Sequence, residues 1–163
     1  MQKISFIFFL ILFSACTFRF NAYDISPDVK TFSVEQFETT AGNAPPTIGQ
    51  QFSEQLKQRI LNDTKLQYRD IKGDIEFSGA VTSYQISPIA PQPGQTVALQ
   101  RLSIRMEIQC KSEKQEMKSW SPSFSRFADF ASDADLSAVE TQLLKEIYAQ
   151  IIEDVFNKAF SNW

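Results

Sequence analysis

Residues 101–111 alternate without a slip. Leu102, Ile104, Met106, Ile108 and Cys110 are apolar, whereas Arg101, Ser103, Arg105, Glu107, Gln109 and Lys111 are polar or charged. Successive side chains of a strand point to opposite faces, so this pattern admits one local structure: a strand with one face in a core and the other in water. Cys110 continues the apolar row and reads as a core thiol rather than a reactive one. A charged turn at Ser112–Gln115 implies a hairpin, with a partner strand over Glu116–Phe127. Pro122 interrupts that partner, because proline cannot donate to a ladder.

The rest of the chain supplies what such a strand needs. Lys30–Glu38 alternates through Phe32 and Val34, slips at Phe37, and reads as a first strand. After a loop over Thr39–Pro46, Ile48, Phe52, Leu56 and Ile60 recur every fourth residue, so a helix with one apolar stripe is expected to end at Asn62-Asp63. Thr47 with Gln50 three residues on reads as its capping box. A short strand over Lys65–Arg69 and a turn at Lys72-Gly73-Asp74 follow. Asp74–Ile86 then reads as a strand whose inward parity changes from Ile75, Phe77, Gly79 and Val81 to Tyr84 and Ile86, which predicts a bulge near Thr82-Ser83. Pro88, Pro91, Pro93 and Gly94 make a rigid connection, either a spacer or a functional loop.

Beyond an acidic loop over Ala128–Asp135, Ser137 and Glu140 form a second capping box. Val139, Leu143, Ile147, Ile151 and Val155, widened by Leu144, Tyr148, Ile152 and Phe156, define a long helix. So broad an apolar face needs a sheet to lie on. The expected fold is α+β, a two-layer sandwich of a small, mostly antiparallel sheet with two helices packed on one face.

The N-terminus has a different logic. Lys3 is followed by a run of about ten mostly apolar residues, Ile4 to Phe13, and then Ser14-Ala15-Cys16. The run is too short to span a bilayer, which takes ~20 residues, and reads as a secretory signal with a lipoprotein ending. Phe13 occupies the position three before the cysteine where Leu is usual. The expected organisation is a signal over 1–15, a tether lipidated at Cys16 over 16–29, and one α+β domain over 30–163. An ordinary signal peptide cut nearby, or a buried N-terminal segment, is the alternative. A covalent diacylglycerol and an N-acyl chain on Cys16 would hold the protein at a membrane, since two or more chains anchor stably where one does not. With Cys16 committed to lipid, Cys110 has no disulfide partner.

The composition excludes several functions. The chain has no His and a formal charge of −3, so the commonest general base and metal ligand are missing, and a general nucleic-acid binder is not expected. No nucleophile elbow, P-loop or dinucleotide fingerprint is present. Asp129, Asp133 and Asp135 resemble a carboxylate cluster, but they precede a helix, where the macrodipole favours negative charge. No enzyme, metal or dissociable cofactor is expected. The polar face of the central strand is the candidate binding surface. Arg101 and Arg105 lie ~13 Å apart along it at ~3.3 Å per residue, with Lys111 beyond. Such a row suits lipid or glycolipid phosphates, or is an ordinary solvated face with cross-strand ion pairs.

Seven segments together carry a resemblance to the LptE family of lipopolysaccharide-assembly lipoproteins. They are the start ending at Cys16, Ile25–Glu38, Pro46–Phe52, Gly73–Gly79, Leu99–Ile104, Phe124–Phe130 and Asp154–Trp163. The resemblance implies a non-enzymatic lipoprotein anchored in the outer membrane and facing the periplasm. It implies a plug inside the LptD β-barrel that binds lipopolysaccharide and helps place it in the outer leaflet. It also implies a small sheet with two helices on one side. The family's lipopolysaccharide contacts are basic, and Arg101, Arg105 and Lys111 are the candidates here. The competing expectation is a periplasm-facing lipoprotein that binds glycan or peptidoglycan, or acts as a chaperone, without a barrel partner.

Overall fold

A computed structural model describes residues 25–90, 98–114 and 118–161. The expected signal peptide, Cys16, the tether up to residue 24 and the Pro91–Gly94 part of the proline-rich connection lie outside them. The described chain runs β1 (Thr31–Val34), β2 (Glu38–Thr39), α1 (Ile48–Asp63), β3 (Gln67–Tyr68), β4 (Ile75–Ile89), β5 (Leu99–Ser112), β6 (Ser123–Ala131) and α2 (Leu136–Phe160).

The strands form one sheet in the order β3-β1-β4-β5-β6, with β2 pairing β4 beyond β1. The slip at Phe37 divides the expected first strand into β1 and β2. β4, β5 and β6 are antiparallel neighbours, and β4 carries the expected bulge between Val81 and Ser83. The sheet as a whole is mixed, which corrects the expectation of a mostly antiparallel sandwich. β1 is parallel to both β3 and β4, and β2 is parallel to β4. The cause lies in the connections. α1 carries the chain back to the end from which β1 started, as a parallel crossover must. A strap over residues 69–74 then crosses β1 to begin β4.

The strap lies directly on β1. Gly73 N–H donates to Ser33 Oγ at 3.3 Å, and a side-chain carbon at Gly73 would overlap the Phe32–Ser33 backbone. Phe32 points into the core and Ser33 points the opposite way, so the strap covers β1 on the face away from the core. Asp74 finishes the strap as an acceptor. It takes the N–H groups of Lys30 and Thr31 at 3.0 and 2.9 Å and the Thr31 hydroxyl at 2.9 Å.

Ile75, Phe77, Val81 and Tyr84 of β4 and the inward row of β5 from Leu102 to Cys110 are buried and share one core with the stripes of both helices, whereas Ile86 beyond the bulge is exposed. Its centre is an aromatic relay. Phe37 lies over Gly79, where any side-chain carbon would overlap the Glu107 carbonyl and the Phe37 ring. The Phe37 ring meets Phe52 of α1 edge-on at 5.1 Å, and Phe52 meets Tyr148 of α2 at 5.6 Å. Polar bonds fix the same residues. Phe37 N–H donates to Ser53 Oγ, and the Tyr148 hydroxyl donates to the Ile48 carbonyl at 3.0 Å.

Both helix starts differ from the expected capping boxes. Thr47 has helical backbone angles and makes no side-chain cap. Thr39, at the end of β2, reaches across instead, and its Oγ1 accepts from Gly49 N–H at 3.2 Å. At α2 the cap is Asp135, which accepts from Ser137 N–H at 3.0 Å, while Glu140 takes the hydroxyl of Tyr84 beyond the β4 bulge. Pro122 costs only one ladder bond. The register on its two sides is continuous, from Cys110 opposite Trp120 to Glu107 opposite Ser123.

Phe52→Ala should cost about 3–5 kcal/mol in urea unfolding, the usual range for a fully buried phenylalanine. A loss below about 1 kcal/mol would remove the relay as the core's centre. Asp74 titrates at about 2 rather than its ordinary 3.8, because Lys30 N–H, then the Thr31 hydroxyl and N–H, then Lys114 favour its charged form. A depressed carboxylate stabilises the fold above its unfolded value, and that stability is lost as pH falls through the folded one. Melting temperature should therefore fall more steeply between about pH 4 and pH 2 in the native protein than in Asp74→Asn. Parallel curves would contradict this assignment.

Candidate functional site

β5 alternates strictly, so its polar row rises from the sheet face opposite the helices. The structure places Arg101, Arg105 and Lys111 together on this open face, in a line along one strand. Between Arg101 and Arg105 the cross-strand neighbours on β4 are polar and uncharged. Ser87 lies opposite Arg101, Gln85 opposite Ser103 and Ser83 opposite Arg105 on β4, with Ser125 opposite Arg105 on β6. Lys111 lies opposite Glu76 at the end where the strap crosses.

The three basic residues differ in state. Arg101 is held on two sides. Its Nε and Nη2 donate to Asp129 Oδ1 and Oδ2 at 2.7 and 2.9 Å, and its guanidinium carbon stands 3.6 Å from the Phe127 ring centroid. This bidentate geometry suits a planar guanidinium. The bond lowers the Asp129 carboxyl and raises the Arg101 guanidinium from their ordinary values. Among the described residues no salt bridge engages Arg105 or Lys111, and both are exposed. The usable cationic groups of the row are therefore Arg105 and Lys111, ~20 Å apart along the strand at ~3.3 Å per residue. Arg101 with Phe127 and Asp129 forms a rigid, locally neutral boundary beside them.

Asp129 is not in a loop before the helix. The last strand extends to Ala131, four residues past the expected end at Phe127, and brings Asp129 directly opposite Arg101. Asp129 and Phe127 are the site residues that the sequence reading misses. The signal that finds them is the alternation of exposed Ser123, Ser125, Phe127 and Asp129 with more covered Phe124, Arg126, Ala128 and Phe130. Asp135 caps α2, and no group of His, Cys, Asp or Glu able to hold a metal is found among the described residues. Cys110 is buried in the core, and burial alone pushes its thiol up to about 12, which makes it inert as a nucleophile. Among the described residues, no helix is long and apolar enough to cross a membrane.

A family model described as LptE, lipopolysaccharide-assembly, matches residues 29–159. The chain belongs to the LptE family. The match spans the sheet, both helices and the whole polar row, so the LptE-type domain and the candidate surface coincide. No significant match is found among curated protein sequences. Solved structures share the fold, two bacterial lipoproteins among them. Rare lipoprotein B from Shewanella oneidensis is 15% identical with a TM-score of 0.53, covering 78% of this chain and 92% of its own. A minor lipoprotein from Acinetobacter baumannii is 12% identical with a TM-score of 0.51, covering 80% of this chain and 91% of its own. At these identities the likeness concerns the α+β fold, with its two helices and curled mixed sheet. Family membership makes the chain an LptE-type lipopolysaccharide-assembly lipoprotein.

A double-mutant cycle on Arg101→Gln and Asp129→Asn, followed by urea unfolding, should give a favourable coupling at low salt. Because the pair is partly exposed, raising salt to about 1 M should shrink that coupling. Additive single variants at every ionic strength would show that the clamp contributes nothing.

Proposed function

We propose that this LptE-type domain is lipid-anchored at Cys16, sits as a plug in an LptD-like outer-membrane β-barrel and faces the periplasm. There it assists transfer of lipopolysaccharide to the outer leaflet. The observation that carries the reading is the family match over residues 29–159. The open face supports it physically. A sheet that buries one side under two helices and keeps the other polar suits the polar lumen of a large barrel. Within that face, Arg105 and Lys111 contact anionic groups of lipopolysaccharide. Arg101, already bound to Asp129, positions the boundary of the contact and does not provide its charge.

A tagged protein should bring down one large β-barrel when purified from detergent-solubilised outer membranes, and recovery without any barrel would overturn the partnership. Arg105→Glu combined with Lys111→Glu should weaken lipopolysaccharide binding several-fold and leave the circular dichroism unchanged. Arg101→Gln alone should have a smaller effect. Unchanged binding in the double variant would reject those two residues, and glycan binding with no barrel would favour the competing class.

A further inference from the structure

Within the strap, residues 70–72 run between two fixed points on β1. Arg69 N–H donates to the Phe32 carbonyl at 2.8 Å, and Gly73 is pressed onto the Phe32–Ser33 backbone. Lys72 turns the chain with φ at 54°, in the left-handed region. The strap holds Ile71 in water. It is 78% exposed, more than any other large apolar side chain among the described residues. A loop free to move could fold such a side chain inward, but this one is pinned at both ends.

Cations gather around this segment. Lys30, Lys65, Arg69 and Lys72 are exposed, and among the described residues no salt bridge engages them. Asp63 is bound by Arg59, and Asp74 by backbone N–H groups and Lys114. Asp28 and Asp70 remain, so cations are in excess here on a chain whose formal charge is −3. A cavity of about 480 Å³ adjoins the start of the strap. Its lining includes apolar Ile25, Val29 and Leu66 together with Lys30, Lys65 and Arg69. The sheet order puts β3 and β1 at the edge away from β6, so this surface is separate from the polar row of β5.

We propose that the strap and this cavity rest on the anionic phospholipid bilayer that holds the Cys16 anchor, with Ile71 inserted at the interface and the cations on headgroup phosphates. The inference rests on lipidation at Cys16 and deepens that reading by naming the face turned to the membrane. Reach argues for this occupant. Ile25 lines the cavity nine residues after Cys16, so the anchor keeps the cavity within about 30 Å of the bilayer, at ~3.3 Å per residue. Charge argues for it too, because basic side chains beside a lipid anchor are drawn to an anionic leaflet. Their apolar stems can lie along the acyl boundary while the heads stay at phosphate level.

The test uses the full-length lipoprotein in vesicles of phosphatidylethanolamine and phosphatidylglycerol, without lipopolysaccharide. Mass spectrometry of the N-terminal peptide decides lipidation separately. An unacylated Cys16 would overturn the anchor reading and this one with it, whereas an acylated protein whose strap stays in water would overturn this one alone. Asp70→Cys gives a labelling site beside an intact Ile71, since Cys16 is acylated and Cys110 is buried. A fluorophore there should be quenched several-fold by brominated acyl chains. One on Ser125→Cys, at the opposite edge of the sheet, should not. Ile71→Asp, or Lys65→Glu with Arg69→Glu, should each remove most of the quenching while circular dichroism is unchanged and the anchor keeps the protein on the vesicles. Exchanging phosphatidylglycerol for phosphatidylcholine should weaken the quenching as well. No quenching at position 70, equal quenching at position 125, or quenching that survives both sets of variants would overturn the proposal. So would protection of the dye by a co-purified barrel with no quenching from lipid, which would assign the strap to a protein partner.

Discussion

The architecture depends on how closely Phe37 approaches β4 at Gly79. The missing side chain leaves room for the ring against the strand, and from there Phe52 and Tyr148 carry the contact through α1 to α2. One aromatic row thus joins the sheet and both helices. Ser53 accepts from Phe37 N–H and donates its own hydroxyl proton to the Gly49 carbonyl at 2.9 Å, so this buried hydroxyl is satisfied. Both inward faces are committed to this row, which leaves the opposite sheet face free of any structural duty in the core.

That freedom shapes the open face. Its residues are chosen for what they present: small hydroxyl and amide groups, two uncommitted cations and a clamped third. The clamp fixes an arginine and an aromatic ring at the border of the cationic row and leaves that border without net charge.

The parts of this structure that a sequence reading reaches are those with a long period. Residues 101–111, the parity change at Thr82-Ser83 and both helical stripes are legible because each repeats over many residues and a single face must be buried. The caps are not. Thr47 and Ser137 satisfy the spacing of a capping box, yet Thr39 and Asp135 hold the positions from which an oxygen reaches the first helical N–H groups. Nor is the parallel pairing of β1, since a strand of four residues beside one of two has too little pattern to name its neighbours. Asp129 is legible only in hindsight of geometry: proximity to α2 and an acidic neighbourhood disguise a strand residue whose partner lies 28 positions away.

The placement of β1 carries a consequence for how the chain acquires its shape. β1 comes first in the described chain but lies between two strands made later, and its tie to Asp74 spans 43 residues. A chain delivered from its N-terminus must hold Phe32 and Val34 unpaired until α1, β3 and the strap have followed. Closing a loop of that length comes late and slowly compared with the β4–β5 hairpin. The hairpin is thus the natural nucleus, and β1 the last strand to lock. The apolar residues of β1 are then the part of a nascent molecule most in need of shelter from aggregation.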